Sequence, residues 1–144
     1  MTRTLFLTLI ATAVLSAAPV DPVNKSWRGV ALQGYDPVAY FTASKATKGS
    51  DSISHEWMGA KWYFSSDANR KLFIASPEKY APQFGGYCAW AVSNNYTANA
   101  DPEAWKIIDG KLYVNYNKDV QKKWEAEALK RIEAGNKNWP NLHK

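Results

Sequence analysis

The sequence predicts a small α+β domain: a small antiparallel sheet of short hairpins packed with two or three helices, including a C-terminal helix. Three observations carry this reading. Aromatic and β-branched runs flank glycine-containing turns at Met58-Gly59-Ala60 and Asp109-Gly110, and such turns join antiparallel strands. Val120, Trp124, Ala128 and Ile132 recur at helical spacing near the C-terminus. One cysteine in 144 residues excludes an internal disulfide, so an ordinary apolar core has to hold the domain.

The chain opens with Arg3, an apolar run from Leu5 to Leu15, and Ser16-Ala17-Ala18. That is the layout of a secretory signal peptide over residues 1–18, and the run falls short of the roughly 20 apolar residues a membrane span needs. The expectation is a periplasmic or secreted protein, without stable membrane insertion after cleavage. Losing Arg3 lowers the formal charge from +5 to about +4. Lysines and acids alternate without a basic block, so the charge reads as solubility and gives no support to nucleic-acid binding.

Residues 19–33 have few periodic apolar positions and are expected to form an N-terminal arm over a domain spanning 34–144. Pro37 to Phe41 is expected as a short strand, and Thr42 to Ser54, rich in Ser, Thr, Lys and Gly, as a surface loop. His55–Trp57 and Lys61–Phe64 form the first hairpin. Ser66 or Asp67 then caps a helix carrying Leu72 and Phe73 inward, with Ala75 near its end. Ser76-Pro77 restarts the chain as a helical turn, because proline at a first helical position sacrifices no hydrogen bond.

In the later half, Trp105–Ile108 and Lys111–Tyr116 pair across Asp109-Gly110. Alternation puts Leu112, Val114 and Tyr116 on one face and Tyr113 and Asn115 on the other. A single helix is expected from Asn117 or Lys118 to Ala134, with Glu127 and Arg131 paired on its wet side and Gly135 as its C-cap. Trp139-Pro140 then folds back as a plug, and His143 falls in a loose tail. No internal repeat is evident at this level.

Several of these segments resemble the YHS domain family, in particular an exported bacterial branch of it. The matching frame is Gly59, Trp62-Tyr63-Phe64-Ser65-Ser66, Phe73 and Pro77-Glu78-Lys79-Tyr80. Asp36-Pro37-Val38 stands upstream, and Gly34–Phe41, Gln83–Val92 and Asp109–Tyr116 extend the likeness over most of residues 30–142. The resemblance implies the same α+β fold and a place for a metal ion. It also implies cysteines where this chain has Ala39, Ser65 and Asn69. Alanine cannot ligate, and serine and asparagine substitute poorly for thiolate with copper or zinc.

Cys88, in Gly85-Gly86-Tyr87-Cys88-Ala89-Trp90, is the remaining thiol. Three roles compete for it: a buried structural cysteine, a metal ligand, and a nucleophilic or redox thiol. As a ligand it needs partners, and His55 and Met58 are the suitable ones, since imidazole, thioether and thiolate together suit copper. No hydrolase signature, Cys-x-x-Cys pair or phosphate-binding glycine loop accompanies it, so an enzyme is not expected. Seven Trp, eight Tyr and five Phe supply the alternative. Tyr35, Tyr40, Trp62, Tyr87, Trp90 and Tyr113 are candidates to line a pocket or patch for a small molecule or a protein partner, because rings stack on sugars, quinones and cations. The expected function is therefore exported binding, either of a metal ion (copper or zinc) through Cys88 or of a small molecule or protein through an aromatic surface.

Overall fold

The computed structural model describes residues 18–144, so all of the expected signal segment except Ala18 lies outside the described residues. The fold is α+β, with two separate two-stranded antiparallel hairpins. Of six α-helices among the described residues, three have eight residues or more and one of these is C-terminal. No helix among the described residues is long and apolar enough to cross a membrane.

The first hairpin pairs β1 (Ser50–Trp57) with β2 (Ala60–Phe64). Met58 and Gly59 form its turn with φ of 53° and 72°, the two left-handed residues a type I′ connection requires. The second hairpin pairs β3 (Asp101–Ile108) with β4 (Lys111–Asn115). Asp109 and Gly110 turn it with φ of 52° and 71°. Buried Leu112 and Val114 face the opposite way from buried Tyr113 and Asn115, so both faces of β4 are covered.

The segment expected as a strand at Pro37–Phe41 is instead helix α1 (Ala39–Thr42). The carboxylate of Asp36 accepts the amides of Val38 at 2.8 Å and Ala39 at 3.3 Å, which satisfies the free donors of a helix start and overrides the strand preference of the apolar residues. Helix α2 (Asp67–Ala75) is capped by Ser66, whose Oγ accepts the Asn69 amide. Phe73 is fully buried but Leu72 is 41% exposed, because one turn offers the core a single position at that depth. The expected loop after Thr42 gives way to β1 at Ser50, earlier than composition suggests.

Helix α3 (Pro77–Tyr80) leads through Gln83–Gly86 to α4 (Ala89–Ser93). The single C-terminal helix expected from the periodicity is two, α5 (Lys118–Glu125) and α6 (Ala128–Leu142), broken at Glu127 with φ −132° and ψ 35°. The break lets Ala128, Ile132 and Trp139 pack on a second apolar cluster built on Phe84, Tyr87, Tyr113 and Trp124. Gly135 is accordingly no cap. It sits inside α6, where a Cβ would lie 2.6 Å from the Phe84 ring, so glycine is required by packing. Trp139 and Pro140 belong to α6 and do not fold back.

The most consequential difference from the sequence reading is an internal repeat. Leu32, Gln33 and Gly34 have φ of 53°, 51° and 81°, and Phe84, Gly85 and Gly86 have 57°, 62° and 81°. Each left-handed run is followed by Tyr and then a buried residue, Asp36 or Cys88. Asp36 donates its amide to Thr47 O at 2.8 Å, and Cys88 to Ala98 O at 2.9 Å. Both hairpins join an eight-residue strand to a five-residue one, and both first strands carry an irregularity three residues wide, between Ser50 and Ser54 and between Asp101 and Trp105. The following helices are capped alike, by Ser66 on Asn69 and by Asn117 on Val120. Trp62 packs on Phe73 at 5.1 Å and 34°, and Tyr113 on Trp124 at 5.1 Å and 39°. The domain is thus two copies of one turn, helix, hairpin and helix unit.

Residues 20–31 strap the two units together. Asn24 N donates to Gly85 O, Ala31 N to Lys61 O and Val20 N to Leu142 O. The expected loose tail is held as well, since Val20 and His143 form a bridge and Lys144 N donates to Val20 O.

Candidate functional site

The repeat brings the residues expected at metal positions into one cluster, but as hydrogen-bond donors. Asp36, wholly buried, accepts on Oδ2 from Ser65 N at 2.9 Å, Ser65 Oγ at 2.6 Å and Asn69 Nδ2 at 2.8 Å. With Val38 and Ala39 on Oδ1 it receives five bonds. Ser65 and Asn69 aim their protons at this carboxylate, so both of its oxygens are occupied by donors. Residues 39, 65 and 69 thereby build a polar knot that ties the start of α1 to the β2–α2 junction.

Cys88 is the counterpart of Asp36 in the second unit. It is buried, its Sγ accepts the Tyr116 amide at 3.2 Å, as Asp36 accepts that of Ser65, and its thiol donates to Asn115 Oδ1 at 3.7 Å. Asn115 Oδ1 also accepts Trp90 N at 2.9 Å. The space filled in the first unit by the polar knot is here an apolar cavity of about 270 Å³, with Cys88 on its wall among Trp90, Tyr96, Tyr116 and Val120.

His55 and Met58 lie in the first unit. His55 is on β1 with its ring edge toward Phe73 at 6.5 Å, and Met58 is in the β1–β2 turn, half exposed, lining a different cavity from Cys88. Among the described residues no group of three or more His, Cys, Asp or Glu side chains is placed to hold a metal ion.

The aromatic candidates are distributed among several places. Tyr40 is buried edge-on to Trp105 with its hydroxyl donating to Pro102 O at 2.9 Å, and burial pushes its ionisation far above the ordinary phenol range. Tyr35 donates to Glu103 Oε1 at 3.3 Å; desolvation and then the Glu103 charge raise its pKa. Tyr87 donates to Asp21 O, and Tyr113 stacks in the second cluster. Both are raised chiefly by burial. Trp90 carries the Arg131 guanidinium 3.9 Å above its ring. Of the six, Trp62 alone lines the cavity at the seam between the two units.

That seam cavity holds about 260 Å³. Trp57, Met58 and Trp62 reach it from the first hairpin, Phe84 from the turn opening the second unit, and Trp139 and His143 from the end of α6. Pro22 and Val23 of the arm close one side. The rings are mutually braced: Trp57 lies 5.9 Å from Trp62, Phe84 lies 6.2 Å from Trp139, and Trp139 stacks on His143 at 4.1 Å. Trp62 Nε1 donates to Trp57 O at 3.1 Å, and His143 Nδ1 donates to Trp139 O at 2.7 Å. Gly85 is pressed against the Pro22 carbonyl, and a Cβ there would collide with it. The arm therefore seats tightly on the rim. Glu78 supplies the carboxylate of the lining, and no Lys or Arg is part of it.

Trp57, Phe84 and Trp139 are not among the aromatics that the sequence offers as ligand candidates. Each belongs to a segment whose role in the sequence is strand, turn or terminal plug, and only the packing of the two units points them at one volume. Comparison with protein-family models, curated proteins and solved structures finds no match to this chain.

Proposed function

We propose that this protein is an exported, non-catalytic binding module that takes a small molecule in the aromatic seam cavity. The observation that carries the proposal is the convergence of Trp57 and Trp62 from one unit with Phe84 and Trp139 from the other on a single volume. Small-molecule sites favour concave, mostly apolar walls with a few polar groups, often where two packed bodies meet. Export is inferred from the first 18 residues, and the YHS likeness from its motif residues alone. To the copper or zinc reading Cys88 contributes one sulfur, whose proton and lone pair are engaged by Asn115 and Tyr116.

The test is a fragment screen followed on the indole N–H signals of the seven tryptophans. Saturable shifts centred on Trp57, Trp62 and Trp139, with Trp27 and Trp105 unmoved, are expected. Saturable shifts at Trp90 instead would move the site to the Cys88 cavity, and no saturable shift with any fragment would refute binding.

A further inference from the structure

We infer that the ligand class of the seam cavity is a small organic cation of the quaternary ammonium type, an inference that rests on the binding function proposed above. The argument is one of charge and surface. The protein carries a formal charge of +5, with 18 Lys and Arg side chains, yet the lining includes none of them. What it does include is three indoles, a phenyl ring and a thioether, with Glu78 as its carboxylate. Indole faces attract a cation through their quadrupole, most strongly when the cation is desolvated. An alkylated ammonium is the cation that such a wall suits best: it has an apolar skin that demands no hydrogen bonds and a delocalised charge that the rings and one carboxylate can balance.

A primary amine is a poorer fit, because three N–H donors would need acceptors and the side chains of this lining offer few. A metal ion is poorer still: the lining's possible donors are Glu78, His143 and Met58, and among the described residues no group of three or more His, Cys, Asp or Glu side chains is placed to hold one. The chemistry also discriminates among ammonium compounds. A zwitterion with its own carboxylate would bring that group toward Glu78 with no Lys or Arg in the lining to receive it. The volume of about 260 Å³ suits a small molecule, below the usual range for drug-sized ligands.

The amines beside the arm are accounted for: Lys144 Nζ lies 3.1 Å from Asp21, and Lys25 Nζ, 3.8 Å from the same carboxylate, donates to Gly59 O at 2.9 Å. Lys25 braces the arm to the first hairpin turn.

The experiment is calorimetric titration of the mature protein with choline, with its neutral carbon isostere 3,3-dimethylbutan-1-ol, and with glycine betaine. Choline is expected to bind at least tenfold more tightly than the isostere, and betaine more weakly than choline. Glu78→Gln, at an exposed position, is expected to weaken choline about three- to tenfold while leaving the isostere unchanged. Trp57→Leu is expected to weaken choline more than the isostere, and its thermal unfolding curve reports whether the fold is kept. Equal affinity for choline and the isostere would overturn the cation assignment and leave the binding function standing. Choline binding unchanged in Glu78→Gln and in a folded Trp57→Leu would also overturn it. No binding of any of the three, together with an empty fragment screen, would remove both.

Discussion

Replacing Asp36 by asparagine tests whether the polar knot organises the first unit. The carboxylate is wholly buried and receives five hydrogen bonds, two on Oδ1 and three on Oδ2. An amide keeps one acceptor oxygen, so whichever way it turns, its NH₂ faces a bank of donors. Turned toward the smaller bank it leaves the Val38 and Ala39 amides unpaired, each costing about 1–3 kcal/mol when buried. The bonds to Ser65 and Asn69 also lose their charge assistance. The contact to Ala39 is long at 3.3 Å, so the lower part of that range applies to it. The expected destabilisation is about 3–5 kcal/mol, large against the 5–15 kcal/mol of a whole domain. Asn69→Ala removes a single charge-assisted donor and is expected to cost about 1.5–3 kcal/mol, and much less in the Asp36→Asn background, since the two residues share one bond. Urea unfolding followed by tryptophan fluorescence and far-ultraviolet circular dichroism measures both, provided the two transitions coincide. A cost below about 1 kcal/mol for Asp36→Asn, or additive behaviour of the pair, would refute the idea that this carboxylate organises the first unit.

Two further outcomes follow from packing and titration. Gly135→Ala gains about 1 kcal/mol of helix propensity but drives a methyl group into the Phe84 ring at 2.6 Å, an overpacking worth about 1–3 kcal/mol. The net expectation is a lower melting temperature, and a raised one would mean that Phe84 is free to yield. Burial raises the Tyr40 hydroxyl above its ordinary value of 10.0, so above pH 10 the unfolded chain binds fewer protons than the folded one. Stability is expected to be level below that value and to fall as pH rises beyond it. Tyr40→Phe should lose about 1 kcal/mol at neutral pH with its bond to Pro102 and show a shallower alkaline decline, the remainder coming from Tyr35, Tyr87 and Tyr113. An alkaline slope identical to that of the parent would refute the assignment.

Local chemistry was the part of the fold legible in the residues. Gly59 and Asp109-Gly110 announce hairpins because glycine and aspartate tolerate the positive φ that tight turns require, and Ser66 announces a helix start because its hydroxyl accepts an amide that would otherwise be unpaired. The strand expected at Pro37–Phe41 failed for a related reason with a longer reach. Asp36 caps α1 while also holding Ser65 and Asn69, and no window of sequence around residue 36 contains those partners. The C-terminal stripe predicts an apolar face but not its division into two helices, because periodicity reports which face is buried and not that the burial is shared between two clusters.

The repeat is not evident in the sequence because its two copies share backbone requirements more than residues. Gly34-Tyr35 answers to Gly86-Tyr87 and Gly59 to Gly110, but the buried centres are Asp36 and Cys88, and the stacked pairs are Trp62 with Phe73 and Tyr113 with Trp124. An eleven-residue spacing between the two aromatics of each pair was the available signal.

What the sequence determined by itself is the two hairpins, the capped helix after the first of them, the absence of a disulfide staple and the candidate status of Cys88 and the aromatics, since each follows from residue type and near-neighbour spacing. Tertiary structure decided what those residues do. It buried Cys88 as the counterpart of Asp36, and it gathered Trp57, Trp62, Phe84 and Trp139 from distant segments around one cavity. That choice depends on how two similar units pack under the arm, and contacts between residues far apart in the chain leave no local pattern to read.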